Sequence, residues 1–375
     1  MRVLVAAHRS DAPGIATVMS GLTHALPGAL EAGDELLALG GAPGPGAPGV
    51  HVTHRPVKLS RTHGRYVRFA YEQTLVPWLA RHTDVVHLGD CRPLLLSRRP
   101  FVVTVHDLFF LDMPAWQTPS VRRFKVAMLR AAMAKGPAAV VCVSDYTRRR
   151  LLARVPEARE LLVRVIHPGI AAAGEAAPWS AEEPYFLTLS EINPRKNLLT
   201  LLRAFQLARR RGLKLRWKIA GPPAFRSDGL VAALGNADGV DVLGHVSDEM
   251  REALFREAVF MAFPSHAEGF GLPPLEAMAR GVPTICSTGT AMDETVADAA
   301  LRLGPEDVRG WTEALLRLER EDALRRELAE RGAQRAGEFS LARMAREHVA
   351  LYRAVVEDGT GSASEARDGA RSAAP

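Results

Sequence analysis

The chain has 375 residues, of which 47% are hydrophobic and 24% are charged, a composition typical of folded globular proteins and unlike that of disordered ones. This length is large for one compact domain and predicts two. The net charge of +6 is unevenly spread, since residues 1–170 carry 22 Lys and Arg against 12 Asp and Glu, and this indicates either an anionic partner for the N-terminal half or an arginine-rich solvated face.

The first half of the chain alternates short apolar runs with longer amphipathic segments. The apolar runs predict buried parallel strands at 3–7, 85–88, 101–105, 139–143 and 163–166. The Gly/Pro-rich stretch 40–50 predicts a loop, and residues 171–184 predict a linker between domains.

A second series of apolar runs follows the linker and predicts a second parallel sheet. Its strands are expected at 185–189, 215–220, 240–243, 259–263 and 282–286. The alternation predicts an α/β protein with two Rossmann-like domains, whose parallel sheets face a central cleft. Ligands of such sheets bind beyond the carboxyl ends of the strands, so the site is expected in that cleft.

These elements set the expected domain bounds. We expect an N-terminal domain over 1–175 and a C-terminal domain over 176–340. Residues 341–356 have helical apolar spacing and predict a closing helix that packs back toward the N-terminal domain. The small, polar tail 357–375 is expected to be disordered.

The sequence shows no signal for a metal or redox site, a signal peptide or a membrane span. Cys91, Cys142 and Cys286 are far apart without metal or redox spacing, which favours free buried thiols. The apolar N-terminal run stops at His8, too early for a signal peptide, and no run reaches the roughly 18 apolar residues of a membrane span. We therefore expect a cytoplasmic protein.

The segment 190–205 predicts an anion site. It follows a predicted strand, and Asn193 and Pro194 are suited to cap and open a helix. Arg195 and Lys196 then lie at the positive end of the helix dipole, where cations are unfavourable unless something offsets them. A bound diphosphate would do so, although both side chains could instead extend into solvent.

The segment from Glu268 to Glu276, EGFGLPPLE, follows another predicted strand. Gly269 and Gly271 allow the backbone to approach a ligand closely, and the prolines suit a helix start. Two structural explanations remain open: Glu276 could complement the helix dipole, and Glu268 has capping-box spacing from Ser265. Neither explains two glycines beside a carboxylate.

Together these segments resemble the retaining GT-B glycosyltransferases of glycosyltransferase family 4, the glycosyl transferases group 1. The resemblance is carried by PRKN at 194–197, GHVSDEM at 244–250 and PSHAEGFGLPPLEAMARGVP at 264–283. The last block matches the two-glutamate motif of the family. Weaker matches are APGIATV at 12–18, VHD at 105–107, VSDYTRRRL at 143–151 and HPGI at 167–170.

The resemblance implies roles for particular residues. Glu268 is expected to contact hydroxyl groups of the donor sugar, Glu276 the ribose and Lys196 the diphosphate. The residues expected to be catalytic are Glu268, His106 and Asp107. The residues expected to bind the donor are Gly14, Arg195, Lys196, Val246, Gly269, Phe270, Gly271, Leu272 and Glu276.

This chain departs from the family pattern at the phosphate site. Many members carry Gly-Arg where this chain has Ser190 and Glu191, and Glu191 cannot bind phosphate. The first loop also has one glycine, Gly14, where many members have two. Either Arg195 compensates for the missing arginine or the phosphate is held more weakly.

The implied activity is transfer of a hexose from a nucleotide-sugar to a glycan or lipid-linked acceptor, with retention and without a metal or other cofactor. Residues 106–116 resemble a branch rich in mannosyltransferases, which favours GDP-mannose as donor and a role in polysaccharide or glycoconjugate synthesis. A UDP-sugar donor carrying glucose or N-acetylhexosamine is the alternative.

Two other classes of function are disfavoured. The turn after the first strand lacks the G-x-G-x-x-G pattern of an NAD-dependent dehydrogenase. The basic charge of the chain is confined to one half and accompanies no nucleic-acid-binding motif. The basic amphipathic stretches 61–79 and 121–136 fit either peripheral contact with an anionic inner membrane face or ordinary core-facing helices.

Overall fold

The computed structural model describes residues 1–7, 13–57, 65–171 and 183–371. The chain forms two compact units. Unit 1 comprises Met1–Leu111, Ser120–Gly169 and Ser340–Pro375, and unit 2 comprises Asp112–Pro119 and Ile170–Phe339. The predicted linker 171–184 falls mostly outside the described residues.

The strands and helices of the described residues are as follows. The strands are β1 (Arg2–Ala6), β2 (Glu35–Leu39), β3 (His51–Arg55), β4 (Val85–Leu88), β5 (Phe101–Val105), β6 (Ala139–Cys142), β7 (Val163–Val165), β8 (Tyr185–Leu189), β9 (Arg216–Ala220), β10 (Val240–Gly244), β11 (Met261–Phe263), β12 (Thr284–Ser287) and β13 (Leu301–Leu303). The helices are α1 (Pro13–Ala25), α2 (Arg65–Ala80), α3 (Phe109–Asp112), α4 (Pro119–Ala134), α5 (Asp145–Arg154), α6 (Leu198–Arg210), α7 (Asp228–Gly235), α8 (Asp248–Glu257), α9 (Leu272–Ala279), α10 (Met292–Thr295), α11 (Val308–Arg320), α12 (Asp322–Gly337) and α13 (Leu341–Arg371).

Each unit contains one parallel sheet. The sheet of unit 1 has the order β3-β2-β1-β4-β5-β6-β7, and the sheet of unit 2 has the order β10-β9-β8-β11-β12-β13. The strand order reverses between β1 and β4 in unit 1 and between β8 and β11 in unit 2, and such switch points are where open α/β sheets bind ligands. The prediction of two Rossmann-like α/β domains is confirmed, and each of the ten predicted strands is present.

Three strands were not predicted from the sequence. β3 and β13 lie at sheet edges and have partly exposed, mixed polar and apolar residues, so they lack the apolar run of a buried strand. β2 consists of Glu, Leu and Ala, which form helices equally well, and periodicity does not separate a short buried strand from a helix segment.

The C-terminal helix α13 belongs to unit 1. Its Tyr352 hydroxyl lies 2.6 Å from Nδ1 of the buried His87 on β4, and Arg353 donates to Asp34 over 2.9 Å. The backbone is helical to Arg371, which differs from the expected disordered tail from 357; no proline interrupts this stretch, and its Ala, Glu and Arg residues favour helix although its three glycines do not. Among the described residues, no helix, α13 included, is long and apolar enough to cross a membrane.

The core of unit 2 fixes its central strands against one another. Phe186 on β8 stacks on Trp217 of β9 and on Phe260, which precedes β11, with ring centroids 5.7 and 5.2 Å away. Trp217 donates through Nε1 to the Thr188 hydroxyl, which donates to the carbonyl of Ala262. The buried polar chain thereby links β9, β8 and β11, and so fixes the carboxyl ends at the switch point.

Candidate functional site

A buried cluster of charged side chains lies at the carboxyl ends of β8 and β11. Oε1 of Glu268 accepts hydrogen bonds from Lys196 Nζ at 2.7 Å, Arg195 Nη1 at 2.8 Å and the Ser265 hydroxyl at 2.6 Å. Lys196 and Glu268 are 7% and 8% exposed, so their charges face each other largely without water. The structure therefore brings together three residues that the sequence singled out on two separate motifs.

Burial and charge act in opposite directions on this cluster. Burial raises the pKa of the Glu268 carboxyl, but Lys196 and Arg195 outweigh it and hold that pKa below its usual value. Burial and then the neighbouring Arg195 lower the pKa of Lys196 to about 8, despite the opposing effect of Glu268 and the nearby Glu191. Glu268 is therefore a carboxylate at neutral pH, and Lys196 is a cation that loses its proton just above neutrality.

The backbone at Lys196 differs from the sequence prediction. Pro194–Lys196 form a single 3₁₀ turn, Asn197 adopts left-handed backbone angles with φ 55°, and α6 begins only at Leu198. The side chain of Asn193 does not cap the turn. The side-chain amide of Asn197 donates to the carbonyl of Pro305 at 2.7 Å and so stabilises the interruption between this turn and α6. Lys196 thus points into the cluster from a tight turn that precedes the helix.

The second motif glutamate lies on α9. Gly271 caps this helix with φ 96°, and a Cβ there would lie 2.8 Å from the Met292 side chain, so both conformation and space require glycine. Glu276 lies beyond the first turn and is buried, and its Oε2 accepts a hydrogen bond from Arg251 of α8. An ion pair therefore holds Glu276, and the helix-dipole explanation does not apply to it.

The remaining predicted residues of unit 2 lie at the same edge of its sheet. Phe270 is buried, with its ring 5.6 Å from Phe339, so its contribution to a ligand is limited to the backbone. Leu272 is the half-buried first residue of α9, and Gly269 precedes Phe270 in the turn after β11. Val246 lies half-buried between β10 and α8, at the same edge of the sheet.

Unit 1 holds the other predicted residues at the carboxyl ends of its own strands. His106 follows β5 and donates through Nε2 to the carbonyl of Gly89, which follows β4, at 2.9 Å. Burial lowers the pKa of His106, although Asp90 and the half-buried Asp107 oppose this, so the ring is neutral at neutral pH. Nδ1 of the neutral ring is then an acceptor.

Gly14 is placed differently from the sequence prediction. It is the exposed second residue of α1 rather than part of the loop before it, because Pro13 suits the first helical position. A Cβ at this position would have no atom of the described residues within 4 Å, its chain neighbours aside. The loop residues 8–12 lie outside the described residues.

Two residues that bind the motif glutamates were not selected from the sequence. Ser265 has capping-box spacing from Glu268, but no helix begins there, and its hydroxyl binds the carboxylate directly. Arg251 lies one residue beyond the GHVSDEM segment and gave no signal beyond its charge. The Ser-x-x-Glu spacing was the available signal for Ser265.

The arrangement in unit 2 is suited to binding an anion beside a polar ligand. Two cations and a carboxylate meet at the switch point of a parallel sheet, near the turn at Gly269 to Gly271. The cations can neutralise a phosphate, and the carboxylate can accept hydrogen bonds from hydroxyl groups. No three His, Cys, Asp or Glu of the described part of the chain are grouped as a metal site would need.

Comparisons with known proteins concern the family of the chain as a whole. The family model for glycosyl transferases group 1 matches residues 174–335, and that for glycosyltransferase family 4 matches residues 14–173. The chain is 28% identical to O-antigen chain mannosyltransferase B of Escherichia coli over 74% of this chain and 80% of the relative. It is 29% identical to the MMP alpha-(1->4)-mannosyltransferase of Mycolicibacterium hassiacum over 72% of this chain and 70% of the relative.

Solved structures share the fold. The Anabaena HepE structure in complex with UDP and glucose superimposes with a TM-score of 0.67 at 16% identity, covering 94% of this chain and 99% of HepE. At this level of identity the likeness concerns the fold alone.

Proposed function

We propose that this chain moves mannose from GDP-mannose to a glycan or lipid-linked acceptor. The chain belongs to the glycosyl transferases group 1 of glycosyltransferase family 4 and is a glycosyltransferase. The contact of Glu268 with Lys196 and Arg195 at the switch point of unit 2 is the observation that carries the proposal. The two relatives named as mannosyltransferases favour mannose. Polysaccharide or glycoconjugate synthesis is the proposed setting.

The proposed reaction follows from where charge develops. As the bond to the anomeric carbon breaks, the nucleoside diphosphate gains negative charge, and Lys196 and Arg195 stabilise it as it leaves. Glu268 accepts hydrogen bonds from sugar hydroxyls while the sugar becomes oxocarbenium-like. Glu276, held by Arg251, accepts hydrogen bonds from the ribose.

The remaining proposed roles concern the acceptor and the stereochemistry. The acceptor hydroxyl attacks the face that the diphosphate leaves and gives its proton to the departing diphosphate oxygen, so the configuration is retained. His106 and Asp107 contact the sugar, and Gly14 presents first-turn N–H groups of α1 to the phosphate. The cations supply the positive charge, so we expect transfer to continue in the presence of EDTA.

The identity of the donor nucleotide has an alternative within this proposal. A UDP-sugar is the second candidate, since HepE shows that this fold accommodates UDP and glucose. Val246, between β10 and α8, is the proposed contact for the base in either case.

Ligand-dependent thermal stability separates these activities from other classes. We expect GDP or UDP to raise the melting temperature of the protein, and NAD and DNA to leave it unchanged. Stabilisation by NAD or DNA but by no nucleoside diphosphate would contradict the transferase proposal.

We also propose that the protein acts in the cytoplasm and contacts the inner membrane face through unit 1. Helix α4 carries Arg123 and Arg130 on its exposed surface, and α2 exposes Val67 and Trp78 by about half. Cations and exposed apolar groups together favour an anionic bilayer. Cosedimentation with phosphatidylglycerol vesicles, but not with phosphatidylcholine vesicles, is the expected result, and equal recovery with both would contradict it.

A further inference from the structure

The short segment Asp112–Pro119 belongs to unit 2, although the chain on either side of it belongs to unit 1. Its 3₁₀ turn, Pro114–Trp116, lies against two loops at the carboxyl edge of the unit 2 sheet. The carbonyl of Ala115 accepts a hydrogen bond from Arg226, which follows β9, at 3.3 Å. The Trp116 ring stacks on His266, which follows β11, with centroids 5.6 Å apart and planes at 27°.

His266 connects this segment to the charged cluster. Its backbone N–H donates to the carbonyl of Arg195 at 2.9 Å, and it precedes Glu268 by two residues. Burial lowers the pKa of its ring, with Glu306 opposing, so a neutral imidazole supports Trp116 at neutral pH. The Trp116 side chain is only half-buried, which leaves part of an amphipathic aromatic surface beside the site.

The next residue, Gln117, has a buried side-chain oxygen without a hydrogen-bond partner in the described part of the chain. Buried polar atoms are nearly always paired, so an unpaired one calls for an explanation, such as a partner that the protein itself does not supply. Three further atoms share this condition among the described residues: Ser190 Oγ, Asn193 Oδ1 and Arg251 Nε. All four belong to unit 2, two on the loop that carries Arg195 and one on the residue that holds Glu276.

We propose that Trp116 and Gln117 form a subsite for the hexose of the donor: the indole packs against the apolar C–H face of the sugar, and the Gln117 amide oxygen accepts a hydrogen bond from a sugar hydroxyl. This subsite rests on the proposed function of the charged cluster and names two further specificity residues for it. A site that hydrogen-bonds a hydroxyl discriminates strongly against sugars that lack it. Gln117 would therefore contribute to the choice of hexose, while Lys196 and Arg195 hold the diphosphate common to all donors.

The test compares the affinity for GDP-mannose with that for GDP, measured by calorimetry on the full chain. Loss of one hydrogen bond to the sugar corresponds to an affinity loss of about 10-fold. We expect Gln117→Leu and Trp116→Ala to weaken GDP-mannose binding by about this factor and to change GDP binding less than about twofold. If wild type binds a UDP-sugar rather than GDP-mannose in calorimetry, the affinity for that UDP-sugar is compared with the affinity for UDP in the same way.

A matched variant shows whether the effect is specific. Gln206→Leu, on the exposed side of α6, removes the same kind of side chain elsewhere and should leave both affinities unchanged. A donor analogue that lacks the recognised hydroxyl should bind wild type and Gln117→Leu equally. If Gln117 had a merely structural role, Gln117→Leu would bind the analogue more weakly than wild type does.

The outcomes distinguish the subsite from the proposed function. Unchanged sugar affinity in both variants, or parallel loss of GDP and GDP-mannose affinity, would overturn the subsite while wild-type binding of the donor still supports the transferase. A wild-type protein that binds no nucleotide-sugar would overturn both.

Discussion

The lowered pKa of Lys196 predicts that nucleotide binding depends on pH just above neutrality. If the ammonium group binds the diphosphate, only the protonated form binds well. With a pKa of about 8, Lys196 is mostly protonated at pH 7 and mostly neutral at pH 9. The apparent dissociation constant for GDP should therefore rise about 10-fold between these two values.

Calorimetric titration of GDP into wild type and Lys196→Met across this pH range measures the effect. The variant should bind GDP more weakly at pH 7 and with little dependence on pH, because the titrating group has been removed. Ionisation of the nucleotide is common to both proteins and cancels in the ratio of their constants. The buried thiol of Cys286, with its pKa raised by burial to about 12, does not titrate in this range.

Two results would refute this reasoning. If the ratio of the two constants stays the same from pH 7 to pH 9, Lys196 does not titrate there or does not bind the diphosphate. If Lys196→Met binds GDP as tightly as wild type at pH 7, the phosphate role of Lys196 is wrong, whatever its pKa.

Three further predictions follow from named contacts. Glu268→Gln keeps the size of the side chain but removes the charge that Lys196 and Arg195 face; we expect a folded protein by circular dichroism whose transfer rate falls at least about 100-fold, and near-normal activity would contradict the assignment. Ser265→Ala removes one hydrogen bond to Glu268; urea unfolding should show a loss of about 1 kcal/mol, and an unchanged midpoint would show that this bond contributes nothing. Tyr352→Phe leaves the buried His87 ring nitrogen without its partner; a loss of about 1–3 kcal/mol in urea is expected, and a neutral effect would show that the contact does not hold α13 on unit 1.

The sequence predicted the strands whose residues form short apolar runs, and most of these strands lie in the middle of a sheet with both faces buried. β8 and β11 are nearly continuous apolar runs and were predicted, as were the loops that follow them. β3 and β13 were not predicted because edge strands are covered on fewer sides and do not need such runs. The extent of α13 was also missed, because its last part consists of small and polar residues, which give no periodic apolar signal.

The site was predictable as separate motifs and not as a network. The family resemblance selected Glu268 and Lys196, but their direct contact depends on which strands are neighbours, and spacing along the chain does not contain this information. The stacking of Trp116 on His266 is a stronger example, because these residues are distant in sequence. Trp116 also lies in a segment that belongs to unit 2, although the chain on either side of it belongs to unit 1. Such contacts follow from topology and become visible only in three dimensions.

The most direct test of the proposed transferase is release of nucleoside diphosphate from a panel of GDP-, UDP- and dTDP-sugars, with mass spectrometry of the products formed in a mixed glycan pool. We predict that wild type releases GDP from GDP-mannose and adds a single hexose to a glycan, while Glu268→Gln still binds GDP but forms product at least about 100-fold more slowly. Equal turnover by wild type and Glu268→Gln, or no turnover of any nucleotide-sugar by wild type, would contradict the proposal.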